Sequence, residues 1–103
     1  MARVALLCPD LLFGSKLQGA LAAAGHEVLP PDADADVLVV DLTSDAAERI
    51  AQSAGGSAPR LGFYSHVEVH VRRLAEEAGF ERVVPRSRMA REAAALVEAT
   101  VAG

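Results

Sequence analysis

Hydrophobic side chains recur along this chain in two rhythms. Unbroken apolar runs at residues 4–8 and 37–40 have the make-up of strands buried on both faces. The first is ended by Pro9-Asp10 and the second by Asp41. Between them Phe13, Leu17, Leu21 and Ala24 fall three or four apart, a helical stripe that stops at Gly25. His26-Glu27-Val28-Leu29 reads as a brief strand halted by Pro30-Pro31. Residues 43–54 read as a weak helix with Ala47, Ile50, Ala51 and Ala54 on one side, closed by Gly55-Gly56-Ser57. Pro59 opens a strand around Leu61-Gly62-Phe63-Tyr64. Ser65 with Glu68 three residues on has the form of a capping box. A helix is expected there, with Val67, Val71, Leu74 and Ala78 as its apolar stripe and Gly79 as its stop. Arg82-Val83-Val84 is the last strand, and Ser87 is placed to cap a final helix bearing Met89, Ala93, Leu96, Val97 and Val101 on one side.

The resulting order, β-α-β-β-α-β-α-β-α, implies an α/β domain with a mostly parallel sheet and helices on both faces. Right-handed crossovers restrict it to a flavodoxin-like, doubly wound five-stranded sheet in the order 2-1-3-4-5 or a close relative. Only seven residues separate Leu29 from Val37, whereas a parallel crossover ordinarily takes a dozen or more. The second helix of such a fold is therefore expected to be missing or reduced to a turn. One sheet face, near the strands ending at Cys8 and Asp41, would be under-covered. Exposed apolar sheet attracts a partner, so a homodimer is expected.

Composition narrows the function classes. The 103 residues suit a single domain, residues 1–103. A net charge of −4 argues against a general nucleic-acid backbone binder, which needs a basic stripe. The absence of Trp and the single Tyr leave little on which bases could stack. No apolar run approaches the roughly 18–20 residues that cross a bilayer, and Pro9-Asp10 interrupts the first run too early for a signal peptide. One cysteine makes no internal disulfide, so a cytoplasmic setting is expected. After the first strand there is neither G-x-G-x-x-G nor G-x-x-x-x-G-K-[ST], and Gly14-Ser15-Lys16 alone is a weak phosphate signal. The D-x-H-x-x-G signature of cobalamin-binding domains fails at Leu12, and residues 9–15 lack the hydroxyl-rich phosphate loop of flavodoxins. No cofactor is expected.

Open parallel sheets bind ligands at the carboxyl ends of their strands. In this sequence those ends carry Pro9 and Asp10, Asp41, Tyr64 with Ser65 and His66, and Arg86 with Ser87. The pattern resembles the receiver domain of two-component response regulators. Residues 36–42 are similar to the strand that ends on the family's phosphorylatable aspartate, which places Asp41 at the phosphoacceptor position. Residues 59–65 resemble the fourth strand with its conformational hydroxyl, and residues 78–86 the Ala-Gly turn, fifth strand and invariant lysine position, here Arg86. The resemblance implies a signalling module rather than an enzyme, with a pocket of Asp10, Tyr64, Ser65 and Arg86 around Asp41.

Departures from that pattern shape the expectation. The family's adjacent acidic pair, which holds Mg²⁺, is reduced to Asp10. Asp10 with Asp41 is a thin oxygen set for an ion that demands octahedral coordination. Arg86 does not reproduce a compact ammonium, and the hydroxyl position aligns with Tyr64, with Ser65 one place later. A stand-alone, shortened receiver-like module is expected, acting through protein contacts and poorly phosphorylated. Two rivals stand beside it: a working phosphoacceptor with Mg²⁺ on Asp10 and Asp41, and a small anion- or metabolite-binding protein or enzyme using the sheet edge. His66 and His70, four apart, have a chelating spacing but no third ligand. Cys8 reads as a small core residue, and Arg86, Arg88 and Arg91 as a solvated basic face.

Overall fold

The computed structural model describes residues 1–65 and 67–103. Among them run β1 (Arg3–Leu7), α1 (Leu11–Ala23), β2 (Glu27–Leu29), β3 (Val37–Asp41), α2 (Ala46–Gln52), β4 (Arg60–Tyr64), α3 (Val69–Glu77), β5 (Arg82–Pro85) and α4 (Arg86–Ala102). The strands form one five-stranded sheet in the order β2-β1-β3-β4-β5, and every pairing is parallel. This is the order and class that the apolar runs imply. Leu7 pairs with Val40, Asp41 with Phe63, and Tyr64 with Pro85. That register brings four strand ends level, so the residues that follow them share one edge.

Both faces of the sheet are covered, which explains why its strands carry apolar runs instead of alternation. On one face Val4, Val37, Val39, Leu61, Phe63 and Val84 meet α1 and α4. On the other, Val40, Leu42, Tyr64 and Val83 meet Val71 and Ala75 of α3 and Phe80, with Ala46 and Ile50 of α2 at the margin. Gly62 belongs to this second face: a Cβ there would lie 2.7 Å from Leu42 Cδ1 and 3.0 Å from the Phe80 ring. Both α1 and α3 end in the same way. Gly25 and Gly79 take φ of 91° and 95°, and the next N–H, of His26 or Phe80, reaches back to Leu21 or Ala75. These are Schellman closures, and their left-handed residue favours glycine.

The crossover between β2 and β3 contains no helix, as its length requires. The sheet beneath it is less bare than expected. Ala5 is fully covered and Leu38 half-buried, under a groove of about 570 Å³ bounded by the links at 31–35 and 52–58. Apart from Met1, the most exposed large apolar side chains lie elsewhere, at Leu11, Leu12, Val67 and Val69.

Several local expectations need correction. No capping box forms at Ser65 and Glu68: α3 starts at Val69, and Glu68 makes no side-chain cap bond. Its N–H donates to the Ser65 carbonyl at 2.9 Å. Starting the helix there makes Val71 and Ala75, one turn apart, the inward pair; Val67 is exposed and Leu74 about half-exposed. Ser87 is not a cap, because β5 runs straight into α4 with Pro85 at the boundary. Thr100, rather than Val101, is buried at the end of α4. Thr100 lies one turn beyond the buried Leu96, to whose carbonyl its hydroxyl donates at 2.7 Å. In α2, Ala46 and Ile50 pack inward, while Ala47, Ala51 and Ala54 are exposed. No helix among the described residues is long and apolar enough to cross a membrane.

Candidate functional site at the carboxyl edge of the sheet

Asp10 opens α1. Its Oδ1 accepts from the N–H groups of Leu12 and Phe13, each at 3.1 Å, satisfying two of the donors a helix start leaves free. Its Oδ2 lies 3.4 Å from Arg86 Nη2. Arg86 follows β5 directly, and its guanidinium carbon stands 4.3 Å from the Phe13 ring centroid. Phe13 therefore holds the cation on one side while Asp10 holds it on the other.

Asp41, the last residue of β3, is buried, with 2% of its surface exposed. Its Oδ1 accepts from the Thr43 N–H at 2.8 Å and from the Thr43 hydroxyl. Its Oδ2 lies 3.5 Å from Cys8 Sγ. Asp41-Leu42-Thr43 is thus a side-chain-closed turn of the kind Asp favours. Burial, followed by the Asp41 charge, pushes the Cys8 thiol up to about 12. Cys8 is a proton-retaining neighbour of Asp41, in keeping with its reading as a packing residue.

The structure brings Asp10 and Arg86 into contact and leaves Asp41 apart from both, engaged with Thr43 and Cys8. Tyr64 ends β4 at the same edge, yet its side chain is buried with the α3 cluster, on the opposite face from Phe13. Ser65, half-buried, borders a cavity of about 630 Å³ whose wall includes Lys16, Thr43, Glu68, Arg86 and Ser87. Neither Asp10 nor Asp41 lines it. Lys16 and Thr43 were not singled out from the sequence as site residues. The Asp-x-Thr spacing at residues 41–43 is the one local signal for Thr43; Lys16, marked only by the weak Gly14-Ser15-Lys16 run, reaches the edge from the second turn of α1.

The residues present do not fit a bound Mg²⁺. Asp41 has both oxygens engaged by protein donors, and Asp10 is shared between a helix start and a guanidinium. Among the described residues no three His, Cys, Asp or Glu side chains gather where a metal ion could sit. His70 is exposed on α3, and His66 lies outside the described residues.

No protein-family model matches the chain, and neither does any curated protein. Solved structures do match. A response regulator from Thermotoga maritima superposes with a TM-score of 0.77 at 11% identity, over 98% of each chain. The non-phosphorylated HemR receiver domain from Leptospira biflexa gives 0.77 at 18% identity, covering 100% of this chain and 96% of that one. A response regulator receiver protein from Burkholderia phymatum gives 0.71 at 18% identity, over 95% and 96%. With a full-length superposition and the strand order 2-1-3-4-5, the chain has the fold of a response-regulator receiver domain.

Proposed function

We propose that this chain is a receiver-like signalling module that acts by contacting other proteins and is not efficiently phosphorylated. The observation that carries this reading is the state of Asp41: 2% exposed, with one oxygen held by Thr43 and the other facing Cys8. Phosphoryl transfer needs an accessible carboxylate oxygen in line with the donor, and cations that neutralise the charge developing on the phosphoryl oxygens. Arg86, at the position of the family's lysine, is instead occupied by Asp10 and Phe13. The reading assigns no chemical turnover. It also gives the chain a weak homodimer, formed through the exposed apolar side chains that follow β1 and β4.

Incubation with a small-molecule phosphodonor and Mg²⁺, followed by intact-mass measurement, tests the reading. The expected result is an unchanged mass. A stoichiometric phosphoryl adduct that disappears in Asp41→Asn would overturn it in favour of a working phosphoacceptor.

A further inference from the structure

Among the described residues, every crossover of the sheet but one contains a helix. The exception, the link from β2 to β3, leaves a gap in the layer that α2 and α3 lay over one face. The groove of about 570 Å³ lies in that gap, beside the end of α2, with the paired residues Ala5 and Leu38 as its floor. Leu38 packs with the α2 and α3 cluster, and Ala5 alternates with Val4 and Leu6, which pack on the opposite face. The walls are small side chains or none, with Ala33 and Ala35 on one side and Gly55 and Gly56 on the other, so another backbone can come close. In a layered α/β domain the element that occupies such a place is a helix.

Charge says what kind of helix fits. Asp32 and Asp34 are the only charged residues in the groove wall among the described residues. Both are exposed, and neither makes an ion pair among the described residues. The excess continues around them: residues 27–48 hold seven Asp or Glu and no Lys or Arg. Asp36 is engaged by the Arg3 N–H, Asp41 by Thr43 and Glu27 by the Arg3 side chain. Arg49, the next basic residue along the chain, pairs with Glu48 and Gln52. The carboxylates of Asp32 and Asp34 are thus left to meet a cation from outside.

We propose that this groove docks a short basic amphipathic helix of a partner protein. Its apolar stripe seats over Leu38 and Ala35, and its Lys or Arg side chains meet Asp32 and Asp34. The mode is that of an amphipathic helix laid in a groove, completing the outer layer where the crossover supplies no helix. The inference rests on the reading that the chain acts through protein contacts, and it adds the surface and the partner's chemistry. The two fail separately: a phosphoryl adduct on Asp41 with the helix still bound sinks only the first, and an unchanged mass with no helix bound sinks only the second.

The probe is a synthetic peptide of Leu, Ala and Lys, about 14 residues long so that it can hold a helix, with its apolar residues on one helical face. It is titrated into the isotopically labelled chain. Saturable shifts are expected at the amides of Ala33, Ala35, Leu38, Gly55 and Gly56. Asp32→Asn with Asp34→Asn should weaken binding about five-fold, the scale of two exposed ion pairs. Glu77→Gln with Glu81→Gln makes the same change in net charge on exposed residues outside the groove and should leave the affinity unchanged. A peptide of the same composition with the apolar face scrambled, and one with Glu in place of Lys, should each bind at least about five-fold more weakly. Shifts centred on other amides, equal binding of the scrambled peptide, or equal losses in the two double variants would overturn the proposal. So would the same shifts appearing when the chain is concentrated without peptide, which would make a second copy the occupant.

Discussion

Cys8 and Asp41 form the most consequential residue pair at the sheet edge. An anion 3.5 Å away and partial burial both oppose thiolate formation, which is why the thiol is pushed up to about 12. Native-state alkylation at pH 8 should therefore run at least about ten-fold slower than for an unstructured cysteine, because only thiolate reacts. Asp41→Asn removes one of the two opposing causes and should speed it. Labelling at the rate of the denatured chain would contradict the contact. The shift also has a stability consequence. The folded chain keeps its thiol proton above the pH at which the unfolded chain, near 9.0, releases it. Stability relative to Cys8→Ala should thus be flat below about 9 and fall from there toward about 12, a difference readable from urea midpoints across that window. His26 carries a second residue-scale prediction. Its Nδ1 accepts the Ala2 N–H at 3.0 Å, which leaves Nε2, 3.1 Å from Glu98, as the ring donor. His26→Leu would strand a buried N–H, at a cost of about 1–3 kcal/mol in denaturant unfolding. The sequence showed His26 only as the start of a short strand. Polar groups with internal partners are invisible to an apolar-period reading, and Thr43, Thr100 and His26 were all missed for that reason.

At the scale of elements, apolar runs and glycine stops were enough to locate every strand and the ends of α1 and α3. What they did not contain was how helices attach to the sheet. Arg60 at the start of β4 shows the gap. Its Nη1 donates to the Ile50 carbonyl and to Ser53 Oγ, its Nη2 donates to the Ala78 carbonyl, and its guanidinium stacks 4.3 Å from the Phe80 centroid. One side chain thus satisfies carbonyls at the carboxyl ends of both α2 and α3, where a cation is also favoured by the helix dipole. The seven-residue α2 buries no residue fully, so this tie matters most to it. Arg60→Met keeps the aliphatic stem and removes the donors; unfolding free energy should drop by about 1–3 kcal/mol. Amide exchange should accelerate in α2 before it does in α1. Equal protection of α2 in both proteins would show that Ala46 and Ile50 alone hold it. Gly62→Ala tests the same face from below. The added methyl meets Leu42 and Phe80 together, and overpacking of this kind costs about 1–3 kcal/mol.

Across the whole molecule, the level strand ends concentrate exposed apolar surface at one edge. Leu11 and Leu12 follow β1 and are 82% and 87% exposed; Val67 and Val69, after β4, are 74% and 67% exposed. β1 and β4 are separated by β3 alone, so the two groups start about 10 Å apart at the spacing of paired strands. A two-fold dimer buries each of these side chains twice. Partial burial of eight apolar side chains yields roughly 6–12 kcal/mol, most of which is offset by the roughly 4–15 kcal/mol of lost freedom on association. What remains, about 4 kcal/mol at most, corresponds to a Kd on the order of 1 mM or weaker. Each copy also carries a net charge of −4, which repels its twin. Apolar contact opposed by like charge has a distinctive signature: added salt screens the repulsion and leaves the attraction, so dimerisation should strengthen from low to moderate ionic strength. Light scattering over a concentration series spanning that Kd should show mass rising toward twice the monomer, more so in salt. Leu11→Ser with Leu12→Ser should return it to monomer. A constant monomer mass would remove self-association from the reading, and association that weakens with salt would place the contact on ion pairs elsewhere on the surface.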